Sequence, residues 1–219
     1  MVRDIPAYTD REPIQTTNLT HILYKHMLSN LEKYNIVLAS NSPRRRELLQ
    51  RLGIPFKTRS LLGVDESYPS ELRGEDIARY IARQKAEAYR ASMGNDELLI
   101  TADTIVCHEG HVMGKPADAR QACEMLGELS GHTHQVITGV SVLTEKRFEN
   151  FSVTSHVTFA QLTDEEIDYY VTNYLPFDKA GAYGIQEWIG LVAVEELRGS
   201  FFNVMGLPIQ RLYTILKTF

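Results

Sequence analysis

The sequence predicts an α/β protein with a mixed, twisted β-sheet flanked by helices. Short apolar runs typical of buried strands alternate with amphipathic helical segments, and two later segments show the period-two alternation of paired strands. A chain of 219 residues with 43% apolar residues is long enough to bury a sizeable core. No internal repeat or low-complexity tract interrupts this organisation.

The first 34 residues are predicted to form an N-terminal extension. Residues 1–18 are polar and broken by two prolines, which predicts a loose tail. Over residues 19–34, apolar side chains recur at helical spacing, which predicts an amphipathic helix packed on the body or on a partner subunit. The main domain is therefore assigned to residues 35–219.

Within this domain, capping residues and prolines mark helix starts, and apolar or alternating runs mark strands. Ser42 and Pro43 begin the first helix, and Pro116 and Pro208 begin two later ones. The predicted strands span residues 36–40, 55–61, 98–107, a short segment ending at 113, 134–143, 148–160, 189–196 and 201–205. The predicted helices span residues 43–52, 74–92, 116–128, about 163–173 and a C-terminal segment from 208.

Three consecutive arginines follow the first strand at the start of the first helix. A helix N-terminus carries partial positive charge, so a cation there costs roughly 0.3–1 kcal/mol unless an anion binds. Arg45 also falls on the same helical face as Leu48 and Leu49, which directs its side chain inward. A solvated basic turn would explain Arg46 but not Arg45, so the segment favours a phosphate or carboxylate site.

Asp103 interrupts the apolar strand 98–107. Aspartate is depleted in strands, and an unpaired buried carboxylate is costly. A metal ion, a cationic side chain or a strand end that opens into a cleft would each compensate, and an ion pair with a core arginine would be purely structural. Asp65 and Glu66 add loop carboxylates, and two or three carboxylates with phosphate oxygens form an ordinary Mg²⁺ shell.

Two lysines also occur where an exposed cation is not expected. Lys85 lies on the apolar face of the helix 74–92, so its ammonium either points inward or reaches the surface along an apolar stem. Lys115 precedes Pro116 at another helix start, where a bare cation is unfavourable. Together with Arg45, these cations favour a polyanionic ligand.

A glycine-rich segment, residues 178–186, would let the backbone approach a ligand. Its last residue, Gln186, carries an amide that can donate to and accept from a base edge. His132 and His134 form a Gly-His-Thr-His segment, but a metal needs three or four ligands and no third has suitable spacing. We interpret these histidines as ordinary residues at the start of a strand.

Charge and composition narrow the classes of function. The net charge of −5 and the lack of a broad basic stripe argue against nucleic-acid binding and favour a small anionic ligand. Cys107 and Cys123 are predicted to be reduced and buried. No apolar run approaches the ~20 residues that span a bilayer, and no targeting pattern is present, so we expect a cytoplasmic protein without membrane contact.

Five separated segments resemble signature motifs of the Maf family and occur in the family's order. They are Ala39 through Arg45, Gln84-Lys85-Ala86, Ala102-Asp103-Thr104, Gly114-Lys115-Pro116 and residues 178–186. The resemblance covers roughly residues 35–219 and implies a nucleoside triphosphate pyrophosphatase, with an elongated two-lobed α/β fold similar to the inosine triphosphate pyrophosphatases. The Ala-Gly-Ala-Tyr-Gly-Ile-Gln form is similar to the branch that acts on dTTP and UTP. A cleft between lobes, a divalent metal (Mg²⁺ or Mn²⁺) and frequent homodimers are also implied.

The resemblance implies roles for individual residues as well. Asp103 would accept a proton from water, and Glu66 would join it at the metal. Arg45, Thr104 and Gln186 take the positions linked to substrate choice. Phosphate contacts are implied for four residues: Ser40, Arg44, Lys85 and Lys115.

The chain departs from the family pattern just after the glycine-rich segment. The family usually has Gly directly after Ile-Gln, whereas Glu187-Trp188-Ile189 precede Gly190 here, which leaves the base preference open. Residues 1–34 have no counterpart in compact members. Two alternatives remain at this point: a nucleotide-binding regulator without turnover, and a purine pyrophosphatase of the inosine type.

Overall fold

The computed structural model of the chain describes residues 27–60 and 63–219. The strands found there are β1 Asn35–Ala39, β2 Lys57–Arg59, β3 Glu97–His108, β4 His111–Met113, β5 Thr133–Leu143, β6 Phe148–Phe159 and β7 Val194–Arg198. The helices are α1 Pro43–Arg51, α2 Glu75–Arg90, α3 Ala119–Leu129, α4 Asp164–Tyr174, α5 Trp188–Val192, α6 Phe201–Val204 and α7 Ile209–Leu216. Short 3-10 turns occupy Ser29–Leu31 and Ala180–Ala182.

The strands form one mixed sheet in the order β2-β1-β3-β5-β6-β7, with β4 also paired to β3. Strand β1 pairs in parallel with both neighbours, and the other pairs are antiparallel. Side chains of β3 alternate between the two faces of the sheet. Ile100 and Val106 join the large cluster that includes α1, α3 and α4, whereas Ile105 packs with α2 on the other face. This mixed sheet with flanking helices confirms the predicted α/β class.

One edge of β3 is interrupted between two partner strands. Its first residues pair with β1 up to Ile100, and its last residues pair with β4 from Val106. Between these points, residues 101–105 pair with β5 alone among the residues that the structure describes. The edge opens where the parallel strand β1 ends, the usual place for ligands in α/β sheets. Asp103 lies in the middle of this gap.

Helix α2 packs unusually close to the sheet at Gly139. A Cβ atom built on Gly139 would lie 2.1 Å from the carbonyl oxygen of Ala78, so only glycine fits there. Gly139 is the register partner of Asp103 across β3 and β5. The Thr101 hydroxyl also donates a 2.6 Å hydrogen bond to the carbonyl of Ala82 on α2. These contacts hold α2 over the β3 gap.

Of the two strands predicted near the C-terminus, the first overlaps the observed strand only in part and the second is wrong. Residues 189–196 form helix α5 followed by strand β7, and residues 201–205 contain helix α6. The Ser200 hydroxyl accepts a hydrogen bond from the Asn203 N–H, which caps α6 at its N-terminus. A short apolar run does not distinguish strand from helix, and here the cap decided the outcome.

Other predicted elements differ in extent. The strand predicted over 55–61 is confined to β2, residues 57–59. Of the helix predicted over 19–34, the part before Met27 lies outside the described residues, and residues 28–34 form a 3-10 turn and bends instead. Both cysteines are free but only half-buried, not buried as predicted. Among the described residues, no helix is long and apolar enough to cross a bilayer.

Candidate active site

A cavity of about 860 Å³ opens at the β3 gap. Its volume lies within the range of about 300–1,000 Å³ that is typical of small-molecule sites. The cavity is lined by every residue to which the sequence assigned a contact with substrate, metal or water: Ser40, Arg44, Arg45, Glu66, Lys85, Asp103, Thr104, Lys115 and Gln186. Six distant segments of the chain are thus brought together, while the chemical roles of these residues stay predictions.

Lys85 lies between two carboxylates on one wall of the cavity. Its Nζ is 2.6 Å from Asp103 Oδ1 and 2.8 Å from Glu66 Oε1. Lys85 and Asp103 are only 5% and 8% exposed, whereas Glu66 reaches in from a loop. A cationic side chain and an open cleft together compensate for Asp103, and the ammonium of Lys85 points inward. We call Lys85, Asp103 and Glu66 the strand-side centre.

The carboxylates of the strand-side centre each keep one oxygen without a partner. Among residues 27–60 and 63–219, Asp103 Oδ2 and Glu66 Oε2 receive no hydrogen bond. Burial alone would raise the pKa of Glu66, but the hydrogen bond and charge of Lys85, with Lys115 and Arg45 nearby, hold it below its usual value. Both carboxylates therefore remain able to accept a proton or to bind a cation.

The donor set of the strand-side centre fits a metal only in part. Within the described residues, no group of three or more His, Cys, Asp or Glu could hold a metal ion. Asp103 and Glu66 contact the same ammonium nitrogen, so one cation can reach both. Because Mg²⁺ and Mn²⁺ accept carboxylate, water and phosphate oxygens, these two residues fit such an ion if substrate and water complete its shell.

Arg45 points inward as predicted, but it contacts protein oxygens. Its Nε donates to the Gly206 carbonyl at 2.8 Å, Nη1 to the Ala102 carbonyl at 2.8 Å and Nη2 to Thr104 Oγ1 at 3.0 Å. Burial lowers the pKa of the Arg45 guanidinium, and the charge of Asp103 partly offsets this effect. The contact with Ala102 takes the place of a strand partner at the β3 gap.

The remaining cavity residues near the start of α1 are held by short-range contacts. Ser40 is 4% exposed, and its hydroxyl accepts from the Ser42 N–H at 3.2 Å. The Ser42 hydroxyl in turn caps α1 by accepting from the Arg45 N–H at 3.4 Å. Arg44 crosses the mouth of the cavity and donates from Nη1 to Asp178 Oδ2 at 2.8 Å.

A second buried lysine also lines the cavity, and no role was predicted for it. Lys179, 7% exposed, places Nζ 2.8 Å from Asp178 Oδ1 and 3.1 Å from Glu187 Oε1. Glu187 Oε2 accepts a hydrogen bond from the Tyr170 hydroxyl. We call Lys179, Asp178 and Glu187 the loop-side centre. Burial alone would raise the pKa of Asp178, but Lys179 and Arg44 lower it.

The glycine-rich segment is backed by a buried histidine. His134 on β5 is 1% exposed, and its Nε2 lies 2.8 Å from the Tyr183 hydroxyl. Burial lowers the pKa of His134 to about 3 and raises that of Tyr183. Both rings are therefore neutral at physiological pH. The interpretation of His134 as an ordinary strand residue agrees with this placement.

Several known proteins are highly similar to this chain in sequence. A protein of Phocaeicola vulgatus named dTTP/UTP pyrophosphatase is 60% identical over 191 residues, which cover 87% of this chain and 99% of the relative. Proteins of the same name from Parabacteroides distasonis and Porphyromonas gingivalis are 60% and 54% identical, over 88% of this chain and 100% and 98% of theirs.

Structural similarity to solved proteins is weaker. A HAM1 protein from Coxiella burnetii aligns over 85% of this chain and 100% of its own at 14% identity, but its TM-score of 0.46 adds nothing to the assignment. The family model described as Maf-like protein matches residues 35–219, the whole segment that holds the cavity. The chain belongs to the Maf-like protein family.

Proposed function

We propose that the protein hydrolyses dTTP and UTP to the nucleoside monophosphate and pyrophosphate. The names of relatives that are 54–60% identical support this substrate class. The observation that carries the proposal is the position of Asp103, a strand carboxylate with a spare oxygen in a cavity lined by cations. A protein that only binds a nucleotide needs the cations but has no need of that carboxylate.

In the proposed reaction, Asp103 acts as the general base. Asp103 Oδ2 takes a proton from a water molecule whose oxygen attacks the α-phosphorus of the substrate. As the new oxygen–phosphorus bond forms, the bond from the α-phosphorus to the bridging oxygen breaks, and pyrophosphate leaves with the electron pair. Lys85 holds Asp103 in place through its contact with Oδ1.

The cations are proposed to bind the triphosphate. Arg44 and Lys115 line the cavity and supply positive charge for the negative charge that grows on the departing pyrophosphate. Lys85 donates to two carboxylates, and its third N–H has no acceptor among the described residues, so it can serve a phosphate oxygen. Ser40 adds a hydroxyl at the end of β1.

A divalent cation, Mg²⁺ or Mn²⁺, is proposed to be held by Glu66 and Asp103. When bound, such an ion neutralises phosphate charge and so favours departure of pyrophosphate. The proposal is supported by the contact of both carboxylates with one ammonium nitrogen, which places them close together, and by the second oxygen of each, which has no partner among the described residues.

Substrate choice is proposed to depend on Arg45, Thr104 and Gln186. Arg45 and Thr104 are hydrogen-bonded to each other, so they act as one fixed wall of the cavity. Gln186 also lines the cavity, and its amide is proposed to contact the edge of a pyrimidine base. We further propose that residues 35–219 form the catalytic unit, that residues 1–34 are an extension, and that the protein is a cytoplasmic homodimer.

A panel of nucleoside triphosphates tests the proposal. The protein is incubated with Mg²⁺ and dTTP, UTP, dCTP, dATP or dITP, and pyrophosphate and orthophosphate are measured separately. We expect pyrophosphate and monophosphate from dTTP and UTP. Binding without any product would favour a regulator, and preference for dITP would favour a purine pyrophosphatase.

A further inference from the structure

Glu187 directly follows Gln186, and its contacts set it apart from an ordinary surface acid. Its side chain is 20% exposed, and both carboxylate oxygens are occupied. Oε1 lies 3.1 Å from Lys179 Nζ, and Oε2 accepts from the Tyr170 hydroxyl. Glu187 is therefore held from two directions, by the loop-side centre and by helix α4.

The Glu187 carboxylate also contacts the neighbouring Gln186. Gln186 Nε2 lies 3.4 Å from Glu187 Oε1. Because a carboxylate only accepts hydrogen bonds, the amide nitrogen and not the amide oxygen of Gln186 must face it. One N–H of Gln186 is thus committed to Glu187, while its second N–H and its carbonyl oxygen remain for a ligand.

The side chains of Gln186 and Glu187 also lie against the backbone of the turn that precedes them. A Cβ atom built on Gly184 would lie 2.8 Å from Gln186 Nε2 and 2.9 Å from Glu187 Cδ, so both side chains pack directly over this glycine. The Gly184 N–H donates to the Tyr170 hydroxyl at 3.1 Å. On the far side, a Cβ on Gly190 would lie 1.8 Å from the Ile185 carbonyl oxygen, so α5 packs tightly against the same turn.

We propose that Glu187 is a positioning residue that locks the Gln186 amide in one orientation and thereby sets the choice between uracil-type and cytosine-type bases. This inference rests on the proposed function, in which Gln186 contacts the base. Uracil and thymine present an N–H at N3 beside a carbonyl oxygen, whereas cytosine presents an acceptor nitrogen beside an amino group. The two edges need opposite orders of donor and acceptor, so an amide that cannot flip accepts one and rejects the other.

The discrimination between the two kinds of base comes from polar groups that lose their hydrogen-bond partners when the wrong base binds. A site built for one hydrogen-bond pattern leaves its buried polar atoms unsatisfied when the wrong pattern binds. A Gln186 amide that is free to rotate would match either base, and discrimination would fall. Glu187→Gln keeps the volume of the side chain but offers both a donor and an acceptor, so it allows either orientation of Gln186.

The test measures kcat/KM for dTTP and for dCTP in wild type and in Glu187→Gln. We expect the ratio of the two values to fall about 10-fold or more, mainly through a gain for dCTP, while kcat for dTTP changes less than about 3-fold. Tyr170→Phe, which removes the donor that holds Glu187 Oε2, should lower the ratio less and serves if Glu187→Gln does not fold. Glu195→Ala, an exposed acid on β7 outside the cavity, is the matched control and should leave the ratio unchanged.

Three results would count against the inference. Equal losses for both substrates in Glu187→Gln and Tyr170→Phe, with an unchanged ratio, would overturn the inference and leave Glu187 a merely structural residue. An unchanged ratio with unchanged rates would overturn it too. Wild-type protein that releases no pyrophosphate from any triphosphate would contradict the proposed function itself, and the inference would fall with it.

Discussion

The strand-side centre and the loop-side centre each place a buried lysine between two carboxylates. They differ in how many of the carboxylate oxygens have a hydrogen-bond or ion-pair partner. In the strand-side centre, Asp103 and Glu66 each contact Lys85 through one carboxylate oxygen, and the other oxygen has no partner among the described residues. In the loop-side centre, both oxygens of Asp178 and of Glu187 contact donors.

This difference suggests a general distinction between reacting and positioning carboxylates. An oxygen without a partner can take a proton from water or bind a metal ion, whereas a fully satisfied carboxylate only fixes the groups around it. The strand-side centre is therefore suited to chemistry. The loop-side centre is suited to holding Arg44 and Gln186 in place.

Removal of each lysine should give the largest contrast. Lys85→Met and Lys179→Met each leave one largely shielded carboxylate, Asp103 or Glu187, without its cation, so each should lower the free energy of unfolding by up to about 3–5 kcal/mol. Only Lys85→Met should also lower kcat for dTTP by about 10²–10³-fold, because it removes a charge next to the reacting groups. Urea unfolding and steady-state pyrophosphate release measure the two effects. Equal losses of kcat in both variants would erase the distinction between the centres.

The metal requirement should depend on the strand-side centre alone. Chelation of divalent ions should abolish activity, and Glu66→Gln should raise the Mg²⁺ concentration for half-maximal activity about 10-fold or more. Glu187→Gln, a change of the same kind in the loop-side centre, is the matched control and should leave that concentration unchanged. Mg²⁺ titrations of pyrophosphate release check this expectation, which fails if Glu66→Gln behaves like wild type.

Close packing of α2 on the sheet should be needed for the strand-side centre to form. Gly139→Ala places a methyl group 2.1 Å from the Ala78 carbonyl oxygen, so α2 must shift, at a cost of about 1–3 kcal/mol in the free energy of unfolding. Displacement of Lys85 should lower kcat/KM as well. In Gly127→Ala on α3, the added Cβ meets nothing within 4 Å, so stability should hold or rise. Full activity in a destabilised Gly139→Ala would separate packing from catalysis.

The pH dependence of the free energy of unfolding should reveal the titration of His134, the buried histidine that contacts Tyr183 in the glycine-rich segment. His134 has a pKa of about 3 in the folded protein and 6.5 as its ordinary value. Between these values the unfolded chain binds a proton that the folded protein excludes, so the free energy of unfolding falls as pH falls below 6.5, by up to about 1.4 kcal/mol per unit from this residue.

The variant His134→Gln removes this contribution. Its stability, measured by urea unfolding from pH 7 to pH 4, should depend on pH less steeply than that of wild type. His111→Gln, at an exposed position on β4, should keep the wild-type slope. Identical slopes in wild type and His134→Gln would show that His134 is not the buried neutral group described above.

Two residues of the strand-side centre could be singled out from the sequence because they violate local patterns, whereas their pairing with each other and with Glu66 was not predicted. Asp103 interrupts an apolar strand and Lys85 interrupts an apolar helix face, so each carried its own signal of an unusual environment. Arg45 was predicted to point inward for the same reason. Its partners, the carbonyls of Ala102 and Gly206, could not be predicted, because backbone acceptors leave no mark in the sequence.

The loop-side centre escaped prediction because tertiary packing creates it. Tyr170 lies on α4, and nothing in the local spacing indicates that its hydroxyl reaches Glu187. Lys179 follows an acidic residue in a segment of small residues, which is equally typical of a solvated turn. The helix α6 was missed for a related reason, since its Ser200 cap lies in a run that also fits a strand.

The difference between the two centres can be measured through the kcat of pyrophosphate release from dTTP by Asp103→Asn and by Asp178→Asn, compared side by side. Both substitutions replace one carboxylate oxygen beside a buried lysine by an amide. We expect kcat to fall about 10²–10⁴-fold in Asp103→Asn, with the fold retained, and less than about 10-fold in Asp178→Asn. Near wild-type turnover in Asp103→Asn, or comparable losses in the two variants, would contradict this expectation.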